Sequence, residues 1–172
     1  MAINITKQTV DAIQTLVHDA FDTNATLDRI KTILATYLVY PDLSNIIHQL
    51  AHKYSLDIGD GIGDLIEMYN EPINYGDIPK HIEDYKNVQE AIDKVYEIVI
   101  LYQNELNQGA KIAYENMDIH IYEGILNIIK QHNQYVEMVI LIKDIVDKYG
   151  DKPNLDVNIL KYNLLGEWLN DY

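Results

Sequence analysis

The chain has 172 residues, 48% of them hydrophobic, with only 8 Gly and 4 Pro, which suits one domain and excludes a disordered or collagen-like polymer. Its 27 acidic against 13 basic residues leave a net charge of −14, which argues against nucleic acid or anionic lipid as the main partner. The absence of Cys excludes a disulfide framework, a thiolate metal site and a cysteine nucleophile. The first twenty residues do not read as a secretory signal, and the longest apolar runs, such as Val136 to Ile142, are too short to span a bilayer. A soluble cytoplasmic protein with no membrane partner is the expectation.

In chain order, residues 7–21 and 26–40 read as helix, with Asp22-Thr23-Asn24 as a break between them. Pro41 ends that segment, because the residue before a proline is pushed out of helical geometry. Leu43, Ile47, Leu50, Tyr54, Ile58, Ile62, Leu65 and Tyr69 then form an apolar stripe with a stutter between Tyr54 and Ile62. Gly59, Gly61 and Gly63 sit inside it, each costing about 1 kcal/mol against Ala in a helix interior. Either another backbone approaches closely there or the helix breaks in two; a continuous helix is the expectation. The run Leu56 to Glu67 lacks the alternating acids of a calcium loop, and no strand precedes it as a nucleotide loop requires. Asp57, Asp60 and Asp64 are expected to form an acidic face around a close packing contact.

The stretch from Glu71 to Lys80, with Pro72, Gly76 and Pro79, reads as an ordered crossover loop, and Pro79 suits the first turn of the next helix. Residues 85–108 then carry Val88, Ile92, Val95, Val99, Tyr102 and Leu106 at alternating spacings of four and three, the seam of a helix in a left-handed bundle. A second such seam runs through Ile121, Ile125, Ile128, His132, Tyr135, Val139, Ile142 and Val146. Asp118 is expected to cap that helix and Gly150 to stop it, giving a span of 118–149 and about 45 Å at 1.5 Å per residue. The tail places Val157, Leu160, Leu164 and Trp168 at helical spacing, a short helix over about 155–170 that packs on its own bundle or on another subunit. One domain over 1–172 is expected, all-α, with its bundle core over about 10–149.

Four long helices of this layout resemble the ferritin-like four-helix bundle with a short extra C-terminal helix, and within that superfamily the Dps mini-ferritins. The resemblance covers roughly residues 15–147 and rests on layout more than on identities. Thr36-Tyr37 and Ile47-His48 stand where that family has a His-Trp pair and, about a dozen residues later, a hydrophobic-His pair. The resemblance implies a homo-oligomer, in the family a twelve-subunit shell, that oxidises and stores iron at a site shared between two subunits. Carried over by position, that site falls on Thr36, His48, His52, Gly63 and Glu67, of which only His48 and Glu67 match in type. Asp64 stands next to the mismatched Gly63, so weak or lost ferroxidase activity is implied. DNA binding, which some members achieve with basic tails, is not expected: the first ten residues hold only Lys7, and Lys152 and Lys161 stand among acidic residues.

The residues themselves carry less. His48 and His52 are four apart and share a helical face, a spacing able to chelate Fe(II) or Zn(II); two half-exposed histidines satisfied by water or acids is the plainer reading. His132 is the polar member of its seam, open to metal binding or pH sensing but more simply a hydrogen-bonded core histidine. None of the six histidines lies three residues after a Glu, so the Glu-x-x-His signature of a diiron centre within one subunit is absent. The competing function is a non-catalytic helical module that binds another protein.

Overall fold

A computed structural model of the chain describes residues 4–150 and 155–156. Over residues 4–150 five α-helices follow one another: α1 (Lys7–Thr36), α2 (Pro41–Lys53), α3 (Asp60–Glu67), α4 (Val88–Glu115) and α5 (Ile119–Tyr149). A π-helical segment, Tyr54–Gly59, joins α2 to α3, so these three pieces make one continuous rod. Four rods therefore surround the core. The seam positions of α4 and α5 are buried apart from Ile128, which is half-buried.

The topology follows from which ends meet. Residues 68–87 run along α1 from its N-terminal half toward its C-terminal half: Gln14 bonds to Pro72 and Asn74, His18 to the Asp77 carbonyl, Asp22 to His81, and Arg29 to Asp84. This crossover returns the chain to the end where α2 began, so α4 runs parallel to the α2–α3 rod and antiparallel to α1. Tyr102 of α4 accordingly donates to the Leu16 carbonyl of α1 at 2.8 Å. One long crossover between two antiparallel hairpins is the connection of a ferritin-like bundle.

Several local expectations are corrected. The break at Asp22-Thr23-Asn24 does not occur. Thr23 and Thr26 are buried in an unbroken α1, the Thr26 hydroxyl bonds back to the Asp22 carbonyl, and the Asn24 side chain donates to the Ala51 carbonyl across the helix pair. Polar residues that favour loops are thus absorbed by a bond within the helix and another across the helix pair. The helix ends at Thr36 rather than residue 40, with Val39 in the left-handed region at φ 59°. Pro41 opens α2 at its first turn, where its missing N–H leaves nothing unpaired.

Pro79 lies in the crossover and not in a helix; α4 starts at Val88, capped by Asn87, whose side chain accepts from the Glu90 amide. The same helix runs on to Glu115, beyond the expected residue 108. Asp118 stands at the cap position of α5 but makes no capping bond: its carboxylate accepts from the Thr6 hydroxyl at 2.6 Å, tying the start of α1 to the α4–α5 turn. Gly150 does stop α5, at φ 50°. The expected tail helix lies outside the described residues except for Leu155 and Asp156. Leu155 is buried, and the Asp156 carboxylate accepts from the Asp42 and Leu43 amides at the start of α2.

The stutter has a structural counterpart. Tyr54, Ile58 and Ile62 follow one another by fours, which a regular 3.6-residue helix would rotate off the core face. The π-helical segment absorbs the extra residue, and all three side chains are fully buried. Among the described residues the nearest approach to Gly59 is not by another rod's backbone: a Cβ on it would lie 3.0 Å from the Phe21 side chain and 3.1 Å from the Tyr54 carbonyl of its own rod. Gly63 meets Ile73 of the crossover in the same way, at 3.3 Å.

Candidate metal centre

His48 and His52 project from successive turns of α2, and their rings meet edge to face with centroids 4.4 Å apart. The Nε2 atoms are 3.2 Å apart. His48 Nδ1 lies 3.2 Å from Asp28 Oδ1 on α1. A carboxylate can only accept, so Nδ1 carries the proton and His48 Nε2 presents its lone pair toward His52. A carboxylate behind a ligating imidazole is the usual way a metal-binding histidine is held in one tautomer. At metal–nitrogen distances of about 2.0–2.1 Å, two nitrogens this far apart subtend about 100° at a shared cation, between octahedral and tetrahedral values. The pair therefore has the bite of a chelate. His48 is half-exposed and His52 exposed, so a cation reaches it without rearrangement of the core.

The remaining positions lie elsewhere. Glu67 is fifteen residues beyond His52 on the same rod, about 22 Å along its axis at 1.5 Å per residue. Glu67 and Asp64 are exposed at the far end of α3, and Thr36 is exposed at the end of α1 with its hydroxyl bonded to the Thr32 carbonyl. Gly63 is buried under the crossover. Among the described residues no three or more His, Asp or Glu side chains converge as a metal site. Within one chain the donor set for iron is thus two imidazoles without a direct carboxylate, a partial fit.

His132 sits fully buried at the middle of the bundle. Its Nδ1 lies 2.7 Å from Gln103 Oε1 and its Nε2 2.6 Å from the Tyr54 hydroxyl. Since the Gln103 oxygen can only accept, Nδ1 donates to it and the Tyr54 hydroxyl donates to Nε2. Burial holds the imidazole neutral, with its pKa lowered to about 3. Tyr54, Tyr102 and Tyr135 pack their rings around it with centroids 5.4–6.3 Å from one another or from His132. The Tyr135 hydroxyl in turn reaches Asp57, which pairs with the buried Lys53. Where a diiron bundle would project carboxylates inward, this one holds an aromatic network with both His132 nitrogens engaged.

Three partners here were not found from sequence. Asp28 is twenty residues from His48 on another helix, and nothing local links them. Tyr54 and Gln103 lay on helices whose faces were assigned, but their pairing with His132 depends on the relative register of the rods. Asp57, expected on an acidic face, is instead half-buried beside Lys53 and Tyr135, while Asp60 and Asp64 are exposed.

An all-α bundle of four rods with one long crossover is a ferritin-like fold. A solved ferritin, that of M. penetrans, superimposes with a TM-score of 0.80 over 92% of this chain and 98% of its own, at 11% sequence identity. No family model matches the sequence, and no curated protein is similar to it at a significant level. Among the described residues no helix is long and apolar enough to cross a membrane.

Proposed function

We propose that this protein handles iron as a Dps-like member of the ferritin-like superfamily, binding Fe(II) while retaining weak or no ferroxidase activity. The observation that carries this reading is the convergent His48–His52 pair backed by Asp28 on a ferritin-like bundle. Iron is the cargo here, and His48 and His52 are the side chains that would hold it. Further donors, Asp64 and Glu67, would come from another copy in a homo-oligomer, because within one chain they stand too far along the rod. The −14 charge favours accumulation of Fe(II) at acidic surfaces, whose carboxylates suit hard cations. His132 is left out of the proposed site, since hydrogen bonds occupy both its nitrogens.

A second reading is favoured by the aromatic network in place of inward carboxylates: a bundle without metal chemistry that binds another protein. Native mass by light scattering separates the two. Twelve copies of a 19.9 kDa chain, roughly 240 kDa, support a closed shell. Fe(II) binding under anaerobic conditions, then oxidation followed by absorbance in air, is the next step. A monomer or dimer that binds no Fe(II) sinks the iron reading and leaves the interaction module.

A further inference from the structure

At the end of the bundle far from His48, the crossover leaves α3 through residues 68–71 and passes the first turn of α5. A cavity of about 640 Å³ opens there, lined by Met68, Tyr69, Glu71 and His120 together with the segment before α1. Met68 is 62% exposed, and its Sδ lies 3.2 Å from His120 Nε2, an N–H···S contact whose proton a cation would replace. Backbone bonds from the Tyr69 and Glu71 amides to the Ile66 carbonyl fix the turn that carries Met68. The Tyr69 ring stands beside the imidazole, with centroids 6.5 Å apart, and screens one side.

From this juxtaposition we propose that Met68 and His120 form a binding site for a soft monovalent cation, Cu(I), distinct from the His48–His52 pair and independent of the iron reading. A thioether is a poor donor to hard or borderline divalent ions and a good one to Cu(I), and a neutral imidazole completes a soft, uncharged pair. Taking zinc-like lengths of about 2.0–2.1 Å to nitrogen and 2.3 Å to sulfur, atoms 3.2 Å apart subtend about 95° at a shared ion, so the pair supplies one side of a three- or four-coordinate ion and not a linear one. The rest of the coordination sphere then faces the cavity, which Glu71 also lines and where an external donor can enter. Such a site exchanges its ion readily rather than burying it.

The test is anaerobic Cu(I) competition against bicinchoninate, with the whole chain carrying His48→Gln and His52→Gln so that the other pair contributes nothing. One equivalent should bind, and X-ray absorption should show one sulfur and at least one nitrogen neighbour. Met68→Leu and His120→Gln should each weaken Cu(I) at least about tenfold, while Met68→Leu leaves Zn(II) affinity unchanged, as expected for a soft donor. Both side chains are exposed, and thermal denaturation checks that the fold is intact. Cu(I) affinity within twofold of the parent after Met68→Leu, or a spectrum with nitrogen and oxygen neighbours alone, overturns the proposal.

Discussion

Tyr54→Phe isolates one bond in the centre of the bundle. The substitution keeps the ring and its packing and removes the hydroxyl that donates to His132 Nε2 at 2.6 Å. The imidazole is fully buried, so the orphaned nitrogen finds no water in exchange. Leaving such an acceptor unpaired costs about 1–3 kcal/mol, against the near-zero cost of removing both partners together. Taking about 2 kcal/mol, and about 2–4 °C per kcal/mol for a chain of this size, Tm should fall by about 4–8 °C. Calorimetry at one protein concentration measures it. A double-mutant cycle with His132→Leu should show coupling of at least about 1 kcal/mol, since the second substitution removes the group that the first leaves stranded.

The same histidine fixes a pH dependence. Its folded pKa, about 3, lies below the ordinary 6.5, so the folded state resists taking up a proton that the unfolded state accepts. The stability this confers is present above pH 6.5 and is lost as pH falls toward 3. The His132→Leu variant should therefore show a flatter acid limb across that window. A Tyr54→Phe variant melting within 1 °C of the parent, or two substitutions that simply add, would refute the network's role.

Three further outcomes follow from other sites. Glu105 is half-buried near Asp19 and Asp22, with burial as the larger cause lifting its pKa to about 7. Its raised folded pKa means stability is present below the unfolded value near 4.5 and lost as pH rises through 7. Discounted for partial exposure, Glu105→Gln should gain about 1 kcal/mol at pH 8 and nothing at pH 4, read by thermal denaturation at both. Asn87→Ala removes the α4 cap and should cost about 1 kcal/mol in chemical denaturation, whereas an unchanged midpoint would show that the cap is redundant. Asp28→Asn should weaken Zn(II) binding at His48 and His52 about tenfold in titration calorimetry while leaving the fold intact, and an equal affinity would mean that the carboxylate does not orient the ring.

The long seams of α4 and α5 were legible because each buried residue there returns by threes and fours. The stutter was legible too, as consecutive fours at Tyr54, Ile58 and Ile62, but not the π-helical form it takes. Start points were misread where a local signal competed with a tertiary one: Pro79 suits a helix start, yet Asn87, with its bond to the Glu90 amide, provides the cap. Asp22-Thr23-Asn24 resembles a break until Ala51 is there to receive the Asn24 amide. For the candidate site, the i,i+4 spacing of His48 and His52 announced their shared face, and their Nε2 contact agrees with it. Asp28, the Tyr54–His132–Gln103 chain and the Met68–His120 contact depend on which rods are neighbours and in what register, which no single segment encodes.

The crossover has a different kind of attachment from the rods. Its links to the rods are mostly polar, through Gln14, His18, Asp22 and Arg29 of α1, with Tyr75 edge-on to Phe21 and Ile73 against Gly63 as apolar contacts, while the rods interlock through buried apolar seams. Polar bonds of that sort exchange with water at small cost, so the segment opens more readily than the seams, uncovering only the ground beneath side chains such as Ile73. The described residues are then two helical hairpins held chiefly by their own faces and linked by residues 68–87. A cut near Asp77 should yield two fragments that stay together through gel filtration and part only when the bundle itself melts.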